Sequence, residues 1–284
     1  HEPSGFNDAK QLASNEDYSG DLDVFGPGSI FQLLNRTTTY HGTRQLAGLL
    51  QQPLLVKQDI EAHQQAIQVL SGQKELRQLI TALGLLHEEN EGNLYDIMSW
   101  LQLRPLLHGK TWVKYLRYGL PALNIAALIF YFITDNYFPI ALGVIISWAI
   151  IGKFAKRINE QHNLLGKKQS ILEQYASILT LFTRVDAGSS QLLKQEQSMA
   201  LAAHKAIKQL SGLASFFDQR LNFLVNLFLN SFFIYDIQCL WALENWKSKY
   251  TGRFNEWIHC VGAIETLNSL ATFAFNYPDY QYPV

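Results

Sequence analysis

Cysteine is nearly missing from this sequence: Cys239 and Cys260 are its only two. They form no close pair, so neither a disulfide framework nor a cysteine zinc site is available. Two isolated thiols fit a reducing compartment, where cysteine behaves as a small buried hydrophobe. A basic excess is also lacking. Lys and Arg total 23 against 24 Asp and Glu, a formal net charge of −1, whereas a nucleic-acid binder usually shows a cationic surplus. Glycine (18) and proline (8) are sparse over 284 residues, which argues against a turn-rich β architecture. No secretory leader pattern is present. Asn35-Arg36-Thr37 matches a glycosylation sequon, but nothing else points to secretion. The chain begins at His1 without an initiator Met, and the expectation is a piece of a longer protein.

Catalytic patterns are lacking too. A phosphate loop needs Gly, four residues, then Gly-Lys-Ser/Thr. At Gly166-Lys167-Lys168 the first Gly is replaced by Gln161 and the hydroxyl residue by Lys168. Gly26-Pro27-Gly28 fails as a dinucleotide fingerprint, with Phe31 at the third Gly position and no βαβ pattern around it. Glu256 and His259 have the Glu-x-x-His spacing of helical di-iron sites, which need a second such pair and two further carboxylates. His87 beside Glu88, Glu89 and Glu91 reads as a solvated acidic loop. No catalytic, cofactor-binding or metal residue is assigned, and no enzyme activity is expected of this segment.

What is present is helix. Apolar residues recur at three- and four-residue steps almost throughout, so the fold class is all-α, multi-helical. Ser29 with Gln32 reads as a capping box. A helix over 39–50 carries Leu46, Leu49 and Leu50 on one face and is stopped by Pro53. Further helices hold Ile60, Ile67 and Leu70; then Leu76, Leu79, Ile80 and Leu83; then Ile97, Trp100 and Leu101. Later helices are expected over about 158–184, 190–212, 213–246 and 254–276. The third of these places Asn222, Asn226 and Asn230 on one face. Such a stripe argues for a buried bundle helix whose amides bond to neighbouring helices or water.

The exception to ordinary amphipathicity lies between Tyr118 and Gly152, where Asp135 is the sole charge. Asp135-Asn136-Tyr137-Phe138-Pro139 is a turn signal between two apolar arms. Lys110, Lys114 and Arg117 precede the first arm, and Lys153, Lys156 and Arg157 follow the second. Each arm approaches the roughly 17–25 residues that cross a bilayer as a helix. The positive-inside rule would then put the body on the cytoplasmic side, membrane-associated, with the tip across the bilayer. Pro121 and Asn124 weaken the first arm as a span, and a soluble hairpin buried on protein stays open. The stretch from Ile140 to Ile151 has no polar face, which favours lipid or burial on all sides.

Two separated stretches resemble one known family. The first comprises Asp21-Leu22-Asp23-Val24-Phe25, Gly28 to Thr37, Gly42-Thr43-Arg44-Gln45-Leu46 and Gln52-Pro53-Leu54. The second is Ile264-Glu265-Thr266-Leu267-Asn268-Ser269-Leu270-Ala271-Thr272-Phe273-Ala274. Both resemble the core and lever region of DNA mismatch repair MutS proteins. The resemblance implies four segments: a polar arm over 1–20, a first core part over 21–112, the apolar hairpin over 113–157 at the family's DNA-clamp position, and lever plus second core part over 158–284. It implies structural roles for Gly42 (close helix approach), Arg44 (bonding carbonyls at a helix end), Pro53 and Glu265. Lys167, Lys168, Lys205 and Lys208 are candidates for phosphate contacts. It also implies a parent protein with a C-terminal ATPase domain beginning near Pro283, which would use ATP and Mg and could bind duplex DNA. No cofactor is expected in this segment itself, and a homodimer through the hairpin stays open. The function expected is mechanical coupling between that ATPase and the lever tip. The alternative is a membrane-anchored helical scaffold or partner-binding protein without nucleic-acid function; a third reading is a helical enzyme with a buried carboxylate or metal site.

Overall fold

The computed structural model describes residues 24–87 and 89–282. The expected polar arm, Asp21 to Asp23, Glu88 and Pro283 lie outside them. Among the described residues there are eleven α-helices and no strand. They are α1 (Ile30–Leu34), α2 (Tyr40–Gln51), α3 (Lys57–Ser71), α4 (Lys74–Gly84), α5 (Glu91–Gln102), α6 (Thr111–Thr134), α7 (Phe138–Leu165), α8 (Gln169–Phe182), α9 (Gln191–Asp218), α10 (Phe223–Phe233) and α11 (Tyr235–Asn276). A 3-10 turn, Gln219–Leu221, precedes α10. The all-α class expected from the periodicity is what the chain adopts.

Two compact units divide the chain. One comprises the described parts of His1–Glu91 and Arg253–Val284 together with Glu173–Ile207; the other comprises Gly92–Leu172 and Lys208–Gly252. The first unit therefore joins the two stretches, early and late, that carry the family resemblance. Here Phe31 is buried with Leu46 and Ala47, and Phe25, Leu50 and Leu270 pack around them. In the second unit Trp100 is fully buried, its indole N–H donating to Gln161 Oε1 at 2.7 Å and its ring 6.1 Å from Trp246.

Local chemistry explains where helices start and stop. Ser29 caps α1, accepting from Gln32 N–H at 3.2 Å. The Gln32 amide reaches back to Gly28 N–H, one residue earlier than a capping box would place it. Thr39 caps α2 by accepting from Gly42 N–H. The helix expected over 158–184 is divided differently. Helix α7 runs unbroken from the hairpin tip to Leu165, because the residues after Gly152 are good helix formers. It ends at Gly166 and at Lys167, which is left-handed with φ 62°. Asp218 then accepts from Lys167 N–H at 2.9 Å and fixes the corner.

The helix expected over 213–246 is likewise divided, among the end of α9, the 3-10 turn, α10 and the start of α11. Asn222 leaves the helical conformation and caps α10 through Val225 N–H, and Ile234 turns left-handed with φ 46°. Asn226 and Asn230 still share one face. Asn226 donates to Arg220 O in the preceding turn, Asn230 donates to Asn226 Oδ1, and Asp236 N–H, in the first turn of α11, donates to Asn230 Oδ1. The last helix begins at Tyr235, well before the expected 254, and runs 42 residues, about 60 Å at the standard rise.

Candidate functional site

Two constructions deserve description, one in each unit. In the first unit, Glu265 of α11 is a fully buried carboxylate aimed at the start of α2. Thr38 N–H and Thr39 N–H donate to it at 3.1 and 3.0 Å, and both threonine hydroxyls donate as well. Both oxygens are thereby satisfied, and the positive end of the α2 dipole faces them. Burial raises its pKa; the four donors pull the other way. Gly42 and Gly84 flank the carboxylate. A Cβ on Gly42 would collide with the Glu265 side chain, and one on Gly84 with Thr38. Glycine at 42 is thus needed for close approach to α11. Arg44 does not bond a helix-end carbonyl: it hydrogen-bonds the Tyr40 hydroxyl at 3.1 Å and pairs with Glu91 at 3.7 Å, both near solvent. Pro53 is exposed just past the C-cap of α2.

Beside this carboxylate sits Glu89. It accepts from Tyr40 N–H and from the Tyr175 hydroxyl. Burial pushes its pKa up to about 7, against the pull of those two bonds. His41 is shifted the other way, down to about 4, by burial and by His259 and Arg44 nearby. The native state therefore holds the Glu89 proton more tightly than the unfolded chain does. Its contribution to stability grows as pH falls from about 7 toward 4.5 and is lost as pH rises through 7. His41 opposes this, losing stability as pH falls from 6.5 toward 4. Glu89→Gln is expected to be more stable than the parent at pH 8, by up to about 3 kcal/mol, with most of the gain gone at pH 5. Thermal melts at the two pH values check this; an advantage equal at both would contradict it.

In the second unit the apolar hairpin is built. Helices α6 and α7 are both long and apolar enough to cross a membrane, and only 11% of the most apolar stretch of each is buried. Leu123, Phe132, Ile133, Phe138 and Ile145 are each at least 65% exposed. A soluble surface rarely leaves so large a contiguous apolar area in water. At the tip, Asp135 is left-handed with φ 55°, and Asn136 Oδ1 accepts from Phe138 N–H at 3.0 Å. Mid-arm, Asn124 is buried, and its Nδ2 donates to Ser147 Oγ, Ser231 O and Phe232 O, each at 3.1 Å. Trp148 donates to Ser231 Oγ at 3.0 Å. A side chain at Gly143 would strike Asn124. The amide that weakened this arm on paper is the group that binds α6, α7 and α10 together.

One face of α11 grips the hairpin root. Gln238, Trp241, Glu244 and Lys247 recur at three-residue steps. Pro121 leaves Arg117 O without its helical donor, and Gln238 Nε2 supplies one at 2.8 Å. Arg117 returns a bond to Gln238 Oε1 at 2.7 Å and lies 3.4 Å over the Trp241 ring. Glu244, fully buried, accepts from Leu106, Leu107 and His108 N–H at 2.7–2.9 Å. Lys247 donates to Trp100 O and Leu103 O, closing the end of α5, and burial lowers its pKa to about 8. Glu244→Ala strands three backbone donors, some of which water can reach, so a loss of about 2–3 kcal/mol is expected. Chemical denaturation measures it; a change below about 0.5 kcal/mol, the ordinary surface value, would contradict the grip.

The four lysines expected to touch phosphate have different surroundings. Lys168 is engaged by Asp96 at 2.9 Å and by Asn93 at 2.8 Å. Lys167 is exposed, and Lys205 and Lys208 are exposed on α9 in different units. Among the described residues no group of three His, Cys, Asp or Glu side chains could hold a metal. His259 lies beside His41, ring to ring at 4.9 Å.

The family model for MutS domain III matches residues 11–274, nearly the whole chain. The chain belongs to the MutS domain III family. No curated protein and no solved structure gives a match. Domain III is a helical, non-catalytic part of MutS, and membership relates this chain to the mismatch-repair family. Within that domain III frame, sequence reasoning found Gly42 and Glu265. It missed Thr38, Thr39, Gly84 and Tyr175, which sit in short or ordinary-looking segments, and it read Glu89 as part of a solvated acidic loop, whereas Glu89 is drawn inward and accepts from Tyr40 N–H and the Tyr175 hydroxyl. A signal for the grip was present: Glu244 and Lys247 are charges three apart on a helix rich in Trp and Leu.

Proposed function

We propose that this MutS domain III couples a nucleotide-binding domain elsewhere in its parent protein to a tip set in a lipid bilayer. The observation that carries the reading is the grip of α11 on the root of an exposed apolar hairpin. That single helix bears Gln238, Trp241, Glu244 and Lys247 at the root and Glu265 at the start of α2. A displacement of α11 driven by nucleotide would act on both places, since packed helices shift as rigid elements. The exposed Lys110, Lys114, Lys153 and Lys156 at the root suit the anionic cytoplasmic surface of a membrane, which supports a body on the cytoplasmic side.

ATP with Mg would be used by the parent, and duplex DNA is its proposed partner by family. A homodimer through the hairpin fits the same exposed surface. The test is ATP hydrolysis by the purified parent, in detergent and in vesicles, with and without duplex DNA. The expected result is a turnover rate that changes on reconstitution. A parent that hydrolyses no ATP, or does so at one rate in both settings, contradicts the coupling.

A second reading, a membrane-anchored scaffold with no nucleic-acid role, is favoured by one observation: Asp135 is the only charge from Tyr118 to Gly152. Weak DNA binding that is insensitive to salt would support it, because phosphate contacts impose a steep salt dependence.

A further inference from the structure

We infer that α10 is a third membrane element, a half-length helix held against the hairpin within the root-side leaflet, its outer face covered by lipid acyl chains. This rests on the bilayer reading of the hairpin and extends it to a segment that is distant in sequence.

Four observations converge. First, α10 reads Phe223-Leu224-Val225-Asn226-Leu227-Phe228-Leu229-Asn230-Ser231-Phe232-Phe233, without a single charge. Second, its exposed side chains are all apolar. Phe223 is 74% exposed, Leu224 73%, Phe228 57% and Leu227 45%, while Asn230 and Ser231 are buried. That polarity is the reverse of a helix lying on water. Third, every polar side chain of α10 has a protein partner: Asn226 bonds Arg220 O, Asn230 bonds Asn226 and Asp236 N–H, and Ser231 accepts from Trp148. Internal satisfaction of this kind is required where no water is available. Fourth, its C-terminal turn is tied to the hairpin, because Asn124 donates to Ser231 O and Phe232 O. Those two carbonyls belong to the last turn of α10, which has no intrahelical donors for them.

The depth follows from lengths. Eleven residues rise about 16 Å, roughly half of a 30 Å hydrocarbon core. Asn124 lies seven residues beyond Arg117, about 10 Å along α6, so α10 meets the hairpin in the half nearer the root. Ile234 then turns left-handed and α11 departs at 83°. Arg220 and Asp236, one on each side of α10 in sequence, pair at 3.2 Å and so keep their charges matched beside the apolar segment.

The experiment uses single-cysteine variants of the whole chain in membrane vesicles, with buried Cys239 and Cys260 replaced by serine. Leu142→Cys reports the hairpin, Leu224→Cys and Phe228→Cys report α10, and Lys156→Cys reports the exposed root. A membrane-impermeant maleimide is the probe. The expected result is labelling of Lys156→Cys and loss of labelling at the other three until detergent is added. Labelling of Leu224→Cys and Phe228→Cys with Leu142→Cys still protected overturns the inference and leaves the hairpin reading standing. Labelling at all four overturns both. For depth, a fluorophore on Phe228→Cys should be quenched more by nitroxide lipids labelled near the headgroup than by those labelled at the chain end. The reverse order overturns placement in the root-side leaflet.

Discussion

Glu265→Ala is expected to lower the stability of the first unit by about 3–5 kcal/mol, the cost of leaving several buried donors without an acceptor. Four donors converge on this side chain from Thr38 and Thr39. Alanine would leave them facing a cavity flanked by Gly42 and Gly84, which carry no side chains to fill it. Glu265→Gln should recover part of the loss. One amide oxygen still accepts, and a threonine hydroxyl can rotate to accept from the amide nitrogen, while one backbone N–H loses its partner. Chemical denaturation of the three proteins measures the series. An alanine variant within about 1 kcal/mol of the parent, the range of ordinary single hydrogen bonds, would show that the carboxylate is not what fastens α2 to α11.

Ile125→Arg combined with Ile145→Arg is expected to eject the hairpin from membranes. Both side chains are exposed and lie near the middle of their arms. Each arginine costs about 2.5–3.5 kcal/mol at the centre of a spanning helix, so the pair opposes insertion by about 5–7 kcal/mol. Protein should move from the membrane fraction to the soluble fraction or to aggregates. On a soluble hairpin the same arginines would sit in water and cost nothing. Unchanged partitioning of the double variant would therefore contradict the bilayer reading, and Leu120→Arg, at a buried position, serves as the comparison for simple misfolding.

The helical class and the hairpin with its single acid at the tip were legible because each leaves a periodic or compositional trace, whereas Gly42 and Glu265 were picked out separately through the family resemblance and their contact was not. Helix ends were less so. Nothing in Asn163 to Lys168 announces that a lysine will take the left-handed turn, and Ile234 is a β-branched residue that normally avoids it. The first corner is fixed by a tertiary partner, Asp218, and the second is closed locally, with Asp236 N–H donating to Asn230 Oδ1 six residues earlier. Arg44 was read as a carbonyl ligand, but its guanidinium bonds the Tyr40 hydroxyl and pairs with Glu91. Pro121 looked like damage to a span. The Gln238 amide that repairs it comes from 117 residues downstream, a pairing that local pattern cannot carry.

The account turns on whether the α6–α7 tip lies in lipid, and extraction of isolated membranes with alkaline carbonate tests that most directly. Peripheral proteins are released by this treatment, whereas chains held by spanning helices stay in the pellet. The protein is predicted to remain in the pellet and to leave it only when detergent is added. Release into the carbonate supernatant would contradict the bilayer-anchored tip.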